Sequence, residues 1–143
     1  SARDSARTPV QWSDEPNAGF TTGKPWFYVN ENYVDVNVAA QEKDEDSVLN
    51  FYRKAIALRK ELSCVRHGNY VEYNKLSSSL YTYSREDDKQ KLLVVCSYTE
   101  KEVPFKAPKG FDMTSGELIL RNYTRVDAAL LKPYEVRVYL WKK

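Results

Sequence analysis

The chain has 143 residues, 42% of them apolar and 29% charged, which suits a globular protein and excludes a disordered one. Its 22 Lys and Arg against 20 Asp and Glu leave a net charge of +2, which argues against a nucleic-acid partner held by bulk electrostatics. No apolar run approaches the ~20 residues of a membrane span, and the polar opening Ser1-Ala2-Arg3-Asp4 does not read as a secretory signal. The two cysteines, Cys64 and Cys96, lack metal-ligand spacing and read as reduced thiols, so the expectation is a cytoplasmic protein without membrane contact, metal or cofactor.

Residues 1–45 carry Pro9, Pro16, Pro25, Gly19, Gly23 and a string of Asn and Asp, with no hydrophobic periodicity. So long an irregular loop segment is uncommon inside a compact domain; it reads as a functional loop or a piece of something larger. A helix is predicted from Asp46 to Glu61, within a helical segment 46–62. Asp44, Asp46 or Ser47 can cap it, and its apolar residues recur at Val48, Phe51, Tyr52, Ala55, Leu58 and Leu62. So broad an apolar face demands a partner surface. Past residue 66 the period changes to alternation. Strands are predicted at Tyr70–Tyr73, Leu80–Arg85, Lys91–Tyr98, Val103–Lys106, Glu117–Asn122 and Tyr134–Trp141. Several short strands with polar turns make an antiparallel β-sandwich over 66–143. The fold class is mainly β, with the irregular segment and a single helix in front.

The chain carries no evident catalytic constellation. One histidine, His67, cannot complete a Ser-His-Asp set, and the five glycines are too scattered to cradle a phosphate. Carboxylates fall in solvated runs such as Glu42–Asp46 and Glu86–Asp88. The aromatic content, eleven Tyr and three Trp, suits strand packing. Tyr81, Tyr83, Tyr98, Tyr139 and Trp141 also suggest a second reading, a stacking platform for sugar. The segment from Arg3 to Trp12 stands apart: two arginines four apart, then Pro9 and Trp12. A guanidinium fork there can hold a carboxylate and present donors to hydroxyls. On composition alone the plainer reading is a surface loop pinned by its aromatics.

Ala6-Arg7-Thr8-Pro9-Val10-Gln11-Trp12 resembles the ARTPMQW signature of α-glucosidases in the α-amylase family. More narrowly it resembles the oligo-1,6-glucosidase, dextran glucosidase and trehalose-6-phosphate hydrolase branch. Asn17 to Gly23 with Pro25-Trp26 is similar to that branch's NAGFTTGxPW stretch. Val29-Asn30-Glu31-Asn32-Tyr33 with Val36-Asn37-Val38 is similar to VNPNYxxINV, with Glu31 in place of the usual Pro. Asp46 to Leu49, Tyr52 to Lys54 and Leu58 to Lys60 resemble the branch's DPDSIxxYYKKLIxLRK helix, with Glu45 in place of a Pro. The β part matches more loosely, through Gly68-Asn69-Tyr70, Tyr81 to Arg85 and Lys91 to Val95.

The resemblance implies a map. In this family a (β/α)8 barrel carries the active site on loops at the carboxyl ends of its strands. On that map residues 1–45 are the barrel's last strand-to-helix connection, 46–62 its eighth helix, and 66–143 the C-terminal β-sandwich. The family cleaves glycosides with retention, using a nucleophilic Asp, a Glu acid/base and a second Asp. The motifs of all three lie upstream of the matched region and none occurs in this chain. The implied catalytic set here is therefore empty, and the chain is expected to be an inactive, structural fragment. Its parent would take short α-glucoside oligosaccharides and release glucose from the non-reducing end. The resemblance assigns Arg7 to substrate binding in that parent, paired with a barrel carboxylate, and Arg3 as a second candidate. Pro9, Gln11 and Trp12 shape the loop. Without the barrel, Arg7 is expected to be solvated, its loop mobile, and the surfaces facing the barrel prone to self-association. A trehalose-6-phosphate hydrolase parent and a stand-alone carbohydrate-binding β module are the alternatives.

Overall fold

The structure is a computed structural model and describes residues 2–143. It divides into two compact units, Ser1–Arg53 and Lys54–Lys143. The first contains α1 (Ala2–Ser5), a 3-10 turn at Pro16–Gly19, another at Glu31–Val34, α2 (Val38–Lys43) and the start of α3 (Val48–Glu61). The sequence showed no periodicity here because α2 is only six residues long, less than two turns. What stabilises so short a helix is the satisfaction of its first N–H groups. Val38 N donates to Gln11 O at 2.9 Å, Ala39 N to Trp12 O at 3.0 Å, and Ala40 N to Asn37 Oδ1 at 2.8 Å. Asn37 is an N-cap with extended backbone, buried, and its amide also donates to Tyr33 O at 2.9 Å.

The helix predicted from Asp46 begins at Val48. Asp44 turns the chain first: its carboxylate accepts from Asp46 N at 3.0 Å and its carbonyl from Ser47 N at 3.1 Å. Of the three capping candidates Ser47 does the work, its hydroxyl accepting from Asn50 N at 3.2 Å and donating to Gln41 O at 2.7 Å. Leu62 takes an extended conformation that breaks the helix, and a short α4 (Ser63–His67), not expected from the sequence, follows.

In the second unit a five-stranded antiparallel sheet has the order β1 (Asn69–Tyr73), β2 (Leu80–Glu86), β3 (Gln90–Ser97), β7 (Val136–Lys142), β5 (Glu117–Arg121). A second antiparallel pair joins β4 (Val103–Pro104) to β6 (Leu130–Leu131). Leu93, Val95 and Tyr139 on one face of the large sheet pack with Phe105 and Phe111, and with Leu131 of β6. On the opposite face Leu92, Val94, Leu120 and Val138 share a groove of about 180 Å³ with Ala55, Leu58 and Leu62 of α3 and the segment after it. Coverage on both faces explains why Leu92 to Val95 is an unbroken apolar run rather than an alternation. The protein is therefore mainly β, two antiparallel sheets preceded by a loop segment and a helix, as the sequence predicted.

Three details of the β region differ from expectation. Strand β7 starts at Val136, not Tyr134, because Tyr134 has a left-handed φ of 53° and follows a proline. Strand β4 ends at Pro104 rather than at Lys106, although Phe105 N still donates to Ala129 O at 2.7 Å. Strand β6 was not predicted, since two residues carry no period. Glu135 and Arg137, two apart in the segment predicted as the last strand, are both fully buried. Arg137 Nε and Nη2 grip the Glu135 carboxylate at 2.8 and 2.9 Å. The remaining guanidinium donors reach Asp127 O at 2.5 Å and Leu130 O at 2.6 Å. Lys132 N donates to Glu135 Oε2 at 2.7 Å. Both charges are thus paired and hydrogen-bonded, the condition under which burial is tolerated.

Candidate functional site

The arginine-bearing loop opens with a turn. Arg7 N donates to Asp4 O at 3.0 Å, and the Arg3 and Arg7 side chains are exposed. Thr8 precedes a proline, which restricts it to extended conformations, and Pro9 itself is buried with φ fixed by its ring. From there the chain is held rather than loose. The Asn30 amide donates to Thr8 Oγ1 at 3.3 Å and to Gln11 Oε1 at 3.4 Å. Gln11 Nε2 donates to Val36 O, and the Gln11 and Trp12 carbonyls cap α2. Trp12 N and Ser13 N both donate to Ala18 O, at 2.9 and 3.1 Å. Solvation of Arg7 agrees with the expectation from sequence. The loop after it has its hydrogen-bond partners within the same unit.

A second clamp follows. Asn17, Ala18 and Gly19 are three consecutive left-handed residues, with φ of 56°, 58° and 64°. For alanine this conformation is unfavourable by ~1–2 kcal/mol, so the surroundings must enforce it. The Asn17 amide does so by donating to Thr21 O at 3.1 Å and Gly23 O at 3.2 Å. A Cβ on Gly19 would lie 2.5 Å from Ser13 Oγ, which reserves that position for glycine.

The aromatic platform of the second reading does not assemble as proposed. Tyr139 is buried in the core, and Trp141 packs edge-on against Phe111 at 5.3 Å. Both lie on the sheet face opposite Tyr83, whose ring shares the α3 groove. Tyr70, Tyr81, Tyr83 and Tyr98 do cluster, but Tyr81 is tilted 44° to Tyr83 and 43° to Tyr98, so no flat surface forms. The Tyr70 and Tyr81 hydroxyls bond each other at 3.0 Å. That bond comes first, with desolvation and Glu72 after it, in raising the Tyr70 phenol above its ordinary range. Burial pushes the Cys96 thiol up to about 11, so it stays a protonated, unreactive thiol at neutral pH. Among the described residues no group of three His, Cys, Asp or Glu side chains is placed to hold a metal ion, and no helix is long and apolar enough to cross a membrane.

Residues 1–68 match the family model for the α-amylase catalytic domain. The whole chain aligns with curated relatives: it is 41% identical to a probable oligo-1,6-glucosidase 2 of Bacillus subtilis, over 99% of this chain and 26% of that protein. The chain is therefore similar to members of the α-amylase family along almost its whole length. Within it the similarity is to the oligo-1,6-glucosidase and trehalose-6-phosphate hydrolase branch. A trehalose-6-phosphate hydrolase of Escherichia coli is 38% identical over 99% of the chain and 26% of its own length. The solved trehalose-6-phosphate hydrolase of Bacillus licheniformis superposes with a TM-score of 0.90 at 36% identity, covering 100% of this chain and 27% of that one. An isomaltulose synthase from Klebsiella sp. LX3 gives 0.85 at 36% identity, covering 96% and 25%. The chain thus spans about a quarter of the length of the α-amylase-family relatives it matches.

Within the segment that matches the α-amylase family model the arginines carry the sequence signature, and the amides carry the geometry. Asn17 and Asn30 each hold two backbone or side-chain groups, and Asn37 holds three. Sequence reasoning passed over Asn30 and Asn37. The signal was a set of amide side chains in a stretch without periodicity, where backbone groups unpaired in a helix or sheet need side-chain partners.

Proposed function

We propose that this chain is the C-terminal portion of an α-glucosidase that cleaves α-glucosidic bonds of short oligosaccharides and releases glucose from their non-reducing ends. The observation carrying this reading is the 41% identity to an oligo-1,6-glucosidase over almost the whole chain. In the proposal the chain is inactive alone, because retaining cleavage needs two carboxyl groups roughly 5–5.5 Å apart across the bond, and the family's carboxylate motifs are absent from this sequence. Arg7 contributes to the subsite for the terminal glucose, paired with a carboxylate supplied by the rest of the enzyme; Arg3 is the weaker candidate. The exposed Arg7 side chain is compatible with that role, since its donors are presented to the outside of the unit.

Hydrolysis of p-nitrophenyl α-glucoside and isomaltose by the purified 143-residue chain tests the inactivity. No release above the buffer rate is expected; activity that survives repurification would overturn it. Grafting the chain in place of the matching segment of the Bacillus subtilis relative tests the rest. The graft should hydrolyse isomaltose, and Arg7→Ala in it should raise KM. A segment belonging to a trehalose-6-phosphate hydrolase would instead lower isomaltose turnover in the graft and support turnover when placed in the Escherichia coli relative.

A further inference from the structure

We propose that Asn30 and Gln11 are positioning residues that lock the loop carrying Arg7; this rests on the reading of Arg7 as a glucose-binding residue. The Asn30 amide nitrogen bridges Thr8 Oγ1 and Gln11 Oε1, at 3.3 and 3.4 Å, from 22 and 19 residues away in sequence. Gln11 is anchored in turn by its own amide on Val36 O, and its carbonyl receives the first N–H of α2 at 2.9 Å. Residues on both sides of the buried Pro9 are therefore tethered to the 30–38 segment. Thr8 is the immediate neighbour of Arg7, and with its hydroxyl held and its backbone restricted by Pro9 it fixes the direction in which Arg7 leaves the loop. The Arg7 N–H bond to Asp4 O closes the other side at 3.0 Å. A long, rotamer-rich guanidinium side chain gains most from such an arrangement, because less freedom is lost when substrate arrives. The lock lies wholly within Ser1–Arg53, so it exists before any contact with the remainder of an enzyme.

Two measurements test the lock. In the 143-residue chain, Asn30→Ala and Gln11→Ala should each speed amide hydrogen exchange at Val38 and Ala39 by roughly five- to tenfold, the size of one net hydrogen bond, with Leu93 and Val95 unchanged. Unchanged exchange in both variants overturns the lock whatever the activity results. In the grafted enzyme, Asn30→Ala should raise KM for isomaltose with kcat held within about twofold, the mark of lost binding rather than lost chemistry. The same substitution in an Arg7→Ala background should have no further effect on KM, because Asn30 acts through Arg7. An effect of equal size in both backgrounds overturns the positioning role and leaves Asn30 a structural residue. If Arg7→Ala itself leaves KM unchanged, the Arg7 reading fails, and the exchange measurement alone decides the lock.

Discussion

At the scale of single residues the structure turns on polar side chains that hold backbone. Arg137 and Glu135 are the strongest case. Burial works against the ionised Glu135 and is the largest influence on it, but the hydrogen bond from Arg137, the Lys132 amide and the Arg137 charge together hold its carboxyl below the usual value. A folded-state pKa below the unfolded one stabilises the protein fully above the unfolded value. That contribution is lost as pH falls through the lower, folded value. Acid unfolding monitored by circular dichroism should therefore show a stability slope below the ordinary carboxylate range that Glu135→Gln removes. Arg137→Met leaves the Glu135 charge buried and the Asp127 and Leu130 carbonyls unpaired, and should cost about 3–5 kcal/mol by urea denaturation. None of this was legible in the alternation of 134–141, because alternation assigns a residue to a face without saying what covers that face. Arg7 is the opposite case: its sequence context marked it clearly, and its own geometry, an exposed side chain, adds nothing to the mark.

At the scale of elements, the helix and the longer strands were legible; of the short pieces only β4 was, and it was drawn two residues too long. Helix α3 and strands β2, β3, β5 and β7 each run five residues or more, enough to display a period. Helix α2 and strands β4 and β6 are defined by partners instead. Val38 and Ala39 find Gln11 and Trp12, and Val103 finds Leu131. The start of α3 shows how local chemistry sets a boundary among three plausible caps. Ser47 is buried and bonds at both ends of its hydroxyl, to Asn50 N and Gln41 O, whereas Asp44 is used in the preceding turn. Ser47→Ala should destabilise the chain by about 1 kcal/mol in urea denaturation, with faster exchange at the Asn50 amide. Asp46→Ala should leave that exchange unchanged, since the Asp46 carboxylate makes no capping bond there.

At the scale of the whole molecule, the question is what covers the apolar surface that each unit leaves outside. Helix α3 presents two stripes. Ala55 and Leu58, with Leu62 just past the helix end, line the groove against the sheet, while Val48, Tyr52 and Ile56, four residues apart on another face, are exposed. Trp12, Trp26 and Tyr28 are exposed in the first unit. Patches of this kind favour association in water. Light scattering of the isolated chain should show a mass that rises with concentration, and Tyr52→Lys with Ile56→Lys should suppress the rise; a concentration-independent monomer would overturn this expectation. The sequence by itself determined the resemblance to the α-amylase family, the mainly β class and the arginine loop. Those depend on residue order in short contiguous strings and on periods long enough to count. The tertiary structure alone decided that the first 45 residues are tied by asparagine and glutamine amides, that an ion pair sits in the β core, and that the tyrosines do not form a flat platform. Asn30 reaches Thr8 and Gln11 from 22 and 19 residues away, Glu135 and Arg137 are two residues apart but are buried by what covers them, and the tyrosines turn on ring tilt. All three are set by packing in space rather than by spacing along the chain.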